Sequence, residues 1–158
     1  HGYFLGEHGF WCKHSTFQEA AKIPLIISSP NYVQNKKTDS FTELVDIYPT
    51  LCEIAQITPP SYIHGKSLTP VLNNPSIRLK NEIYTRYKEG EAIVDENYSY
   101  TEFYRGEKYL GNMLYDMKKD IKQNTDISKL SINKELVKKY SKKLQIMRDF
   151  VNKDYLEK

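Results

Sequence analysis

Hydrophobic and polar positions change their period along this chain, and each period predicts a different element. The run PLIISSP at 24–30 is apolar at consecutive positions and closed by a proline at each end. That pattern predicts a strand buried on both faces inside a parallel sheet. Just before it, STFQEAAKI places a Ser or Thr ahead of a Glu at capping distance and predicts a short helix. NYVQNKKTDS is polar and reads as a loop. In SFTELVDIYPTLCEIAQI, residues Leu44, Ile47, Tyr48, Leu51, Ile54 and Ala55 recur at helical spacing. Pro49 lies inside that pattern and is expected to kink the helix or divide it in two. TPPSYIHGKSLTPVLNNP follows as a proline-punctuated connector.

From Lys80 the period drops to two. NEIYTRYKEGEAIVDENYSYTEFYRGEKYLGNMLYDMKK alternates aromatic or β-branched residues with polar ones and carries turn signals at KEGE, DEN and RGEK. It predicts three or four short antiparallel strands with one exposed face. Many of the 13 tyrosines fall here, where an apolar body and a polar tip suit a half-buried sheet. The last segment spaces Leu136, Tyr140, Leu144, Met147 and Val151 for one amphipathic helix. The reading is α/β: the end of a layered domain over 1–78, then a small α+β unit over 79–158.

Composition adds limits. At 158 residues with 39% hydrophobic and 27% charged positions, the chain is built to fold. The net charge of +3 is modest, and the lysines gather in the last forty residues. Without the arginine and glycine company of an RNA-binding stripe, they read as a solvated helix face, so no nucleic-acid partner is expected. No apolar run approaches the roughly 18 residues of a membrane span. The chain opens on His1, with neither a methionine nor a basic leader, and is expected to be processed or to be the carboxy-terminal portion of something longer. Cys12 and Cys52 form no CxxC or zinc-finger spacing, and whether they pair stays open.

The chemistry concentrates in the opening HGYFLGEHGFWCKH. Three readings stand side by side. His1, His8, Cys12 and His14 could hold zinc, although their spacing matches no closed tetrahedral site. The stretch could be a glycine-hinged turn, with Glu7 and His8 satisfied by backbone groups and Phe10 and Trp11 packed beneath. Or His1 and Lys13 could meet one oxyanion, lysine being a compact point charge suited to a tetrahedral sulfate or phosphate.

HGYFLGEHGFWCKHSTFQEAAKIPLIISSP resembles the second half of the type I sulfatase signature, on the iduronate-2-sulfatase-like branch: Asp-His-Gly, Leu-Gly-Glu-His-Gly, Trp, Lys, then an Ile-Pro-Leu-Ile strand. ELVDIYPTLCEIAQITPP and HGKSLTPVL resemble the next block of that family. EAIVDENYSYTEF and MLYDMKKDIKQN resemble its carboxy-terminal sheet, the last without the proline usual after its aspartate.

The resemblance implies an alkaline-phosphatase-like sulfatase fold, here the end of the large parallel-sheet domain plus a small antiparallel sheet with a packed helix. It implies a formylglycine nucleophile, made in a Cys-x-Pro-Ser-Arg-like motif, and one divalent ion, usually calcium. His1 follows the position of the family's metal-binding aspartate and is the expected metal residue. Calcium prefers oxygen donors, so a transition metal is the alternative. Lys13 matches the lysine that grips the sulfate and is the expected catalytic and substrate-binding residue. His14 takes a supporting, substrate-binding role, and Glu7 and His8 are expected to be structural. Neither Cys12 nor Cys52 precedes Pro-Ser-Arg, so the formylglycine is expected in a missing amino-terminal part.

The implied function is hydrolysis of sulfate esters on a sulfated sugar or polysaccharide, glycosaminoglycan or algal, with this portion alone inactive. A phosphate or phosphonate monoester substrate is the sibling reading. A non-catalytic carbohydrate-binding remnant, using an exposed tyrosine face, is the competing one. Family analogy implies export, to the periplasm or outside the cell, or a lysosomal location.

Overall fold

The computed structural model describes residues 2–156, with side chains as far as Asn152. The chain gathers into two compact units. One joins the described residues as far as Leu25 to Tyr84–Asn152, and the other joins Ile26–Ile83 to residues 153–156.

The first unit is built on a meander sheet. Strands β1 (Glu82–Tyr87), β2 (Gly90–Asp95), β3 (Tyr98–Arg105) and β4 (Lys108–Asp116) lie in sequence order. The turns between them fall at the KEGE, DEN and RGEK signals, and β2–β3 and β3–β4 pair antiparallel. Register aligns Ile93 with Tyr100 and Tyr100 with Leu114, one apolar row across three strands. Because side chains alternate faces along a strand, that row commits one whole face to a partner. The partner is the carboxy-terminal helix, Lys134–Leu156, whose Tyr140 and Leu144 complete a buried cluster with Ile93, Tyr100 and Leu114. Each such side chain contributes roughly 1.5–3 kcal/mol on burial.

Charged groups rim the same face in satisfied pairs. The Arg148 guanidinium binds Glu91 through Nε and Glu102 through Nη2, the latter at 3.2 Å. Tyr100 donates its hydroxyl to Glu102 at 2.9 Å. Burial pulls the Arg148 pKa down, but its hydrogen bonds to Glu91 and Glu102 outweigh that and raise it. Asp95 accepts from the Tyr140 hydroxyl at 2.6 Å and from the Asn97 and Tyr98 amides.

The opposite face is not open, contrary to the sequence expectation. β2 is buried at every position but its last. The amino-terminal stretch covers this side, placing Phe4, Phe17 and Ala20 against Tyr115, with Met113 and Met117 packed around them. A polar seam accompanies them: Thr16 and Thr101 share a hydroxyl contact of 3.3 Å. The Gln123 side chain accepts from the Gln18 amide at 2.8 Å and donates to Ser99 at 2.9 Å. Gly90, Ala92, Ser99 and Thr101 make this close approach possible. Their small side chains look weakly apolar in a sequence but leave room for another chain to lie flat on the sheet. Tyr100 and Tyr115 are therefore core residues, 1% and 5% exposed, and offer no platform to a sugar.

Within that covering stretch, helix α1 (Gln18–Ala21) is one turn long and starts from Phe17, without a side-chain cap. The Ser15 hydroxyl instead accepts from the Phe17 amide at 3.2 Å. The following run at 24–30 forms no strand among the described residues, and Ile26 is 90% exposed. A parallel strand closes its hydrogen bonds only on neighbouring strands, and no described strand pairs with this one.

In the second unit, a 3₁₀ turn at Leu44–Asp46 runs into α2 (Ile47–Ile54), and Thr69–Asn73 forms α3. Pro49 does not break the helix. It lies in the first turn of α2, where its missing N–H has no intrahelical partner to lose. The segment divides instead where 3₁₀ gives way to α. The side of α2 that packs inward carries Pro49, Thr50 and Cys52. The expected apolar stripe faces outward, with Leu44, Tyr48 and Leu51 all more than half exposed.

Asp46, 0% exposed, organises this unit. Its carboxylate accepts from the amides of Glu43 and Lys66, each at 2.8 Å, and from the Lys80 ammonium at 2.7 Å. Thr50 adds a second clamp, its hydroxyl accepting from the Leu68 amide at 2.8 Å. Gly65 lets the connector reach this turn: a Cβ there would stand 1.9 Å from the Val45 carbonyl oxygen, so no other residue fits. VDIYPT and HGKSL are two halves of one polar lock.

Candidate functional site

The loop that carries Lys13 and His14 is folded back on itself like a narrow hairpin. The Phe4 amide donates to Cys12 O at 2.8 Å, the Gly6 amide to Phe10 O at 2.9 Å, and the Phe10 amide to Glu7 O at 3.0 Å. The tip is a 3₁₀ turn, Glu7–Gly9. Phe4, fully buried, anchors the loop, and Phe10 joins it at a ring separation of 5.7 Å. Trp11 does not pack beneath as the turn reading expected; it is 69% exposed.

Glu7 and His8 are held locally. Glu7 accepts from the Leu5 amide at 2.7 Å, and its hydrogen bonds from the Leu5 backbone and its own hold its carboxyl below the usual range. His8 stacks on Phe17 at 4.1 Å, tilted 6°, with Nε2 3.9 Å from Glu19. The motif's glutamate and histidine thus build the loop, and the residues beyond it are exposed at its end.

Lys13 and His14 are both solvent-exposed. The His14 ring lies parallel to Tyr87, centroids 5.2 Å apart at 8°. Lys88, next along, holds its ammonium 5.5 Å from the same Tyr87 centroid. Neither Tyr87 nor Lys88 was marked by the sequence, where they read as a strand end and a turn. No motif joins residues so far apart, and only the fold pairs them.

His1, the expected metal residue, lies outside the described residues. Among the described residues no three His, Cys, Asp or Glu side chains come together as a metal shell. With His8 on Phe17 and His14 on Tyr87, the four-residue zinc set does not assemble. The described residues likewise do not make a calcium site, which needs six to eight oxygen donors. Cys12 and Cys52 are both free thiols.

A meander sheet backed by one long helix, preceded by a folded loop that presents a lysine and a histidine, defines the class: the carboxy-terminal portion of an alkaline-phosphatase-like sulfatase. The family model described as N-sulphoglucosamine sulphohydrolase, C-terminal, matches residues 6–149, and the chain belongs to that family. An N-acetylglucosamine-6-O-sulfatase of Bacteroides thetaiotaomicron is 31% identical over 159 aligned positions, covering 94% of this chain and 28% of that protein. A delta 4,5-hexuronate-2-O-sulfatase of the same organism is 30% identical, covering 82% of this chain and 29% of its own. A solved structure of a protein in complex with its substrate D-glucosamine-2-N,6-O-disulfate superposes with a TM-score of 0.86 at 26% identity, over 96% of this chain and 33% of that one. The chain spans about a third of the length of the relatives it matches.

Proposed function

We propose that this chain is the carboxy-terminal portion of a sulfatase that hydrolyses sulfate esters on a glycosaminoglycan-like sugar, on the iduronate-2-sulfatase-like branch. The observation that carries it is the backbone-locked loop at 4–12, which ends by presenting Lys13 and His14 to solvent in the family's own sequence context. Relatives acting on glucosamine 6-O-sulfate and hexuronate 2-O-sulfate support the substrate class.

In this reading the Lys13 ammonium grips the sulfate oxygens and neutralises charge that builds on them as the ester bond breaks. A flexible point charge follows those oxygens as the sulfur inverts. His14 orients the sugar bearing that sulfate. A formylglycine and a divalent ion, calcium by family analogy, would supply nucleophile and Lewis acid from outside the described residues. His1 is proposed to lie next to that ion. The boundary near residue 78 is proposed as that between the main and carboxy-terminal domains, and export or a lysosomal location as the compartment.

The outward-facing apolar stripe of α2 and the exposed Ile26 support a portion that a larger domain covers. This chain alone is accordingly proposed to be inactive. The test is sulfate release from an aryl sulfate and from 2-O-, 6-O- and N-sulfated disaccharides by the full-length protein. Lys13→Ala is expected to lower kcat by about a hundredfold or more, and the 2-O-sulfated member to be preferred. Release by none of them, or an unaffected Lys13→Ala enzyme, refutes the reading. Turnover by the isolated 158-residue chain refutes its inactivity.

A further inference from the structure

The hairpin tip between β1 and β2 is built more carefully than a connector requires. Lys88 has φ +49°, a left-handed conformation that residues with a Cβ adopt only at a cost. Two residues on, Gly90 sits so close to its surroundings that a Cβ would lie 3.0 Å from the Phe103 ring and 3.4 Å from the Thr16 methyl. Thr16 belongs to the loop that carries Lys13 and His14, and its hydroxyl meets Thr101 on the adjacent strand. The tip and the loop are thereby clamped as one surface. On that surface the His14 imidazole, the Tyr87 phenol and the Lys88 ammonium form a continuous cluster.

Charge accounting singles out Lys88. The neighbouring cations are already engaged: Arg86 with Glu91 at 3.4 Å, Arg105 with Glu89 at 3.5 Å, and Arg148 with Glu91 and Glu102. Lys88 has no carboxylate partner among the described residues. A strained turn that points an unpaired cation over an aromatic ring, which is itself stacked on a histidine next to the proposed sulfate lysine, is arranged for an external anion.

Building on the sulfatase reading of Lys13, we propose that His14, Tyr87 and Lys88 form a second anion subsite. It would read a carboxylate or a further sulfate elsewhere on the sugar whose ester Lys13 grips. The β1–β2 hairpin is then the element that sets specificity, with the Tyr87 ring holding His14 by stacking and Lys88 binding the second charge.

The test uses the full-length protein and three disaccharides: one with a single sulfate, one with that sulfate and a uronate carboxylate, and one with that sulfate and a second sulfate. Kd by calorimetry and kcat/KM are measured for each. Lys88→Gln and Tyr87→Leu are expected to lower the preference for a doubly charged sugar over the single sulfate about tenfold, in both measures. Tyr87→Phe, which keeps the ring, should retain it. The doubly charged sugar that loses more identifies the carboxylate or the sulfate as the group read. A preference unchanged in Lys88→Gln, or an equal loss on all three sugars, overturns the subsite. Wild-type protein that binds the sugars without releasing sulfate defeats the hydrolytic reading alone, because the Kd ratios still decide the subsite. Failure to bind any of them defeats both.

Discussion

Replacing Asp46 with alanine removes the acceptor for three donors at once. The Glu43 and Lys66 amides, each 2.8 Å from the carboxylate, are left without their partner. Lys80, whose side chain is 9% exposed, keeps only Glu43. An orphaned buried amide costs about 1–3 kcal/mol, and breaking a buried ion pair from one side costs about 3–5 kcal/mol. The terms overlap because they share one carboxylate, so the expected loss is about 4–5 kcal/mol. Total stabilities run about 5–15 kcal/mol, so this one side chain governs whether residues 43–80 stay folded. Asp46→Asn keeps the shape but turns an NH₂ toward a donor and should cost about 3 kcal/mol. Urea unfolding of the full-length protein followed by circular dichroism reads both. In a cycle with Lys80→Met, the double variant Asp46→Asn/Lys80→Met should cost less than the sum of the singles, because it removes both charges of the Asp46–Lys80 pair together. A loss under about 1 kcal/mol for Asp46→Ala, or strict additivity in the cycle, would refute the reasoning.

Other consequences follow from the same kind of accounting. Arg148→Met takes the guanidinium from Glu91 and Glu102, 7% and 3% exposed, leaving Glu91 to Arg86 and Glu102 to the Tyr100 hydroxyl, and should lower stability by about 3 kcal/mol in thermal unfolding, with Arg148→Lys restoring less than half because lysine has no fork. Burial pushes the Asp95 carboxyl up, but the Tyr140 hydroxyl and the Tyr98 and Asn97 amides together hold it below the ordinary 3.8. A depressed folded-state value means stability that is present above pH 3.8 and lost as pH falls through the lowered value. Tyr140→Phe should therefore move the Asp95 titration upward in a carboxyl-carbon NMR experiment, and an unmoved titration would exclude the hydroxyl as a cause. Gly65→Ala should cost well above the roughly 1 kcal/mol of an average substitution, since its Cβ would collide with the Val45 carbonyl; a normal melting temperature would show that the connector has another path.

The parts of the structure that were legible are those where period and punctuation agree. The meander was legible because its alternating residues are interrupted at KEGE, DEN and RGEK, and the helix because Leu136, Tyr140 and Leu144 recur on one side. The loop bearing Lys13 and His14 was legible through its motif. What failed to show was contact between distant segments. The cover on the second sheet face rests on Gly90, Ala92, Ser99 and Thr101, residues whose smallness carries no periodic signal. Asp46 is a charged position inside a helical pattern, and nothing in that spacing signals its burial. The meeting of His14 with Tyr87 required the whole sheet to be assembled first, and no local rule contains it.

Helix α2 marks the limit of a pattern argument most sharply. Its apolar positions recur at the expected spacing, yet Thr50 and Cys52 are buried while Tyr48 and Leu51 are exposed. Periodicity reports that a helix has an apolar face; it does not report what that face meets. Asp46 and Thr50 need fixed hydrogen-bond partners, and the connector at 64–68 supplies them, which fixes the rotation of the helix. The apolar stripe goes wherever that rotation leaves it. Two kinds of interaction thus divide the same short helix between them. The directional polar lock is satisfied within these residues, while the non-directional apolar face is left for a partner. A portion spanning a third of its relatives is where that division should be visible, since directional contacts close locally and large apolar areas close only across a whole domain.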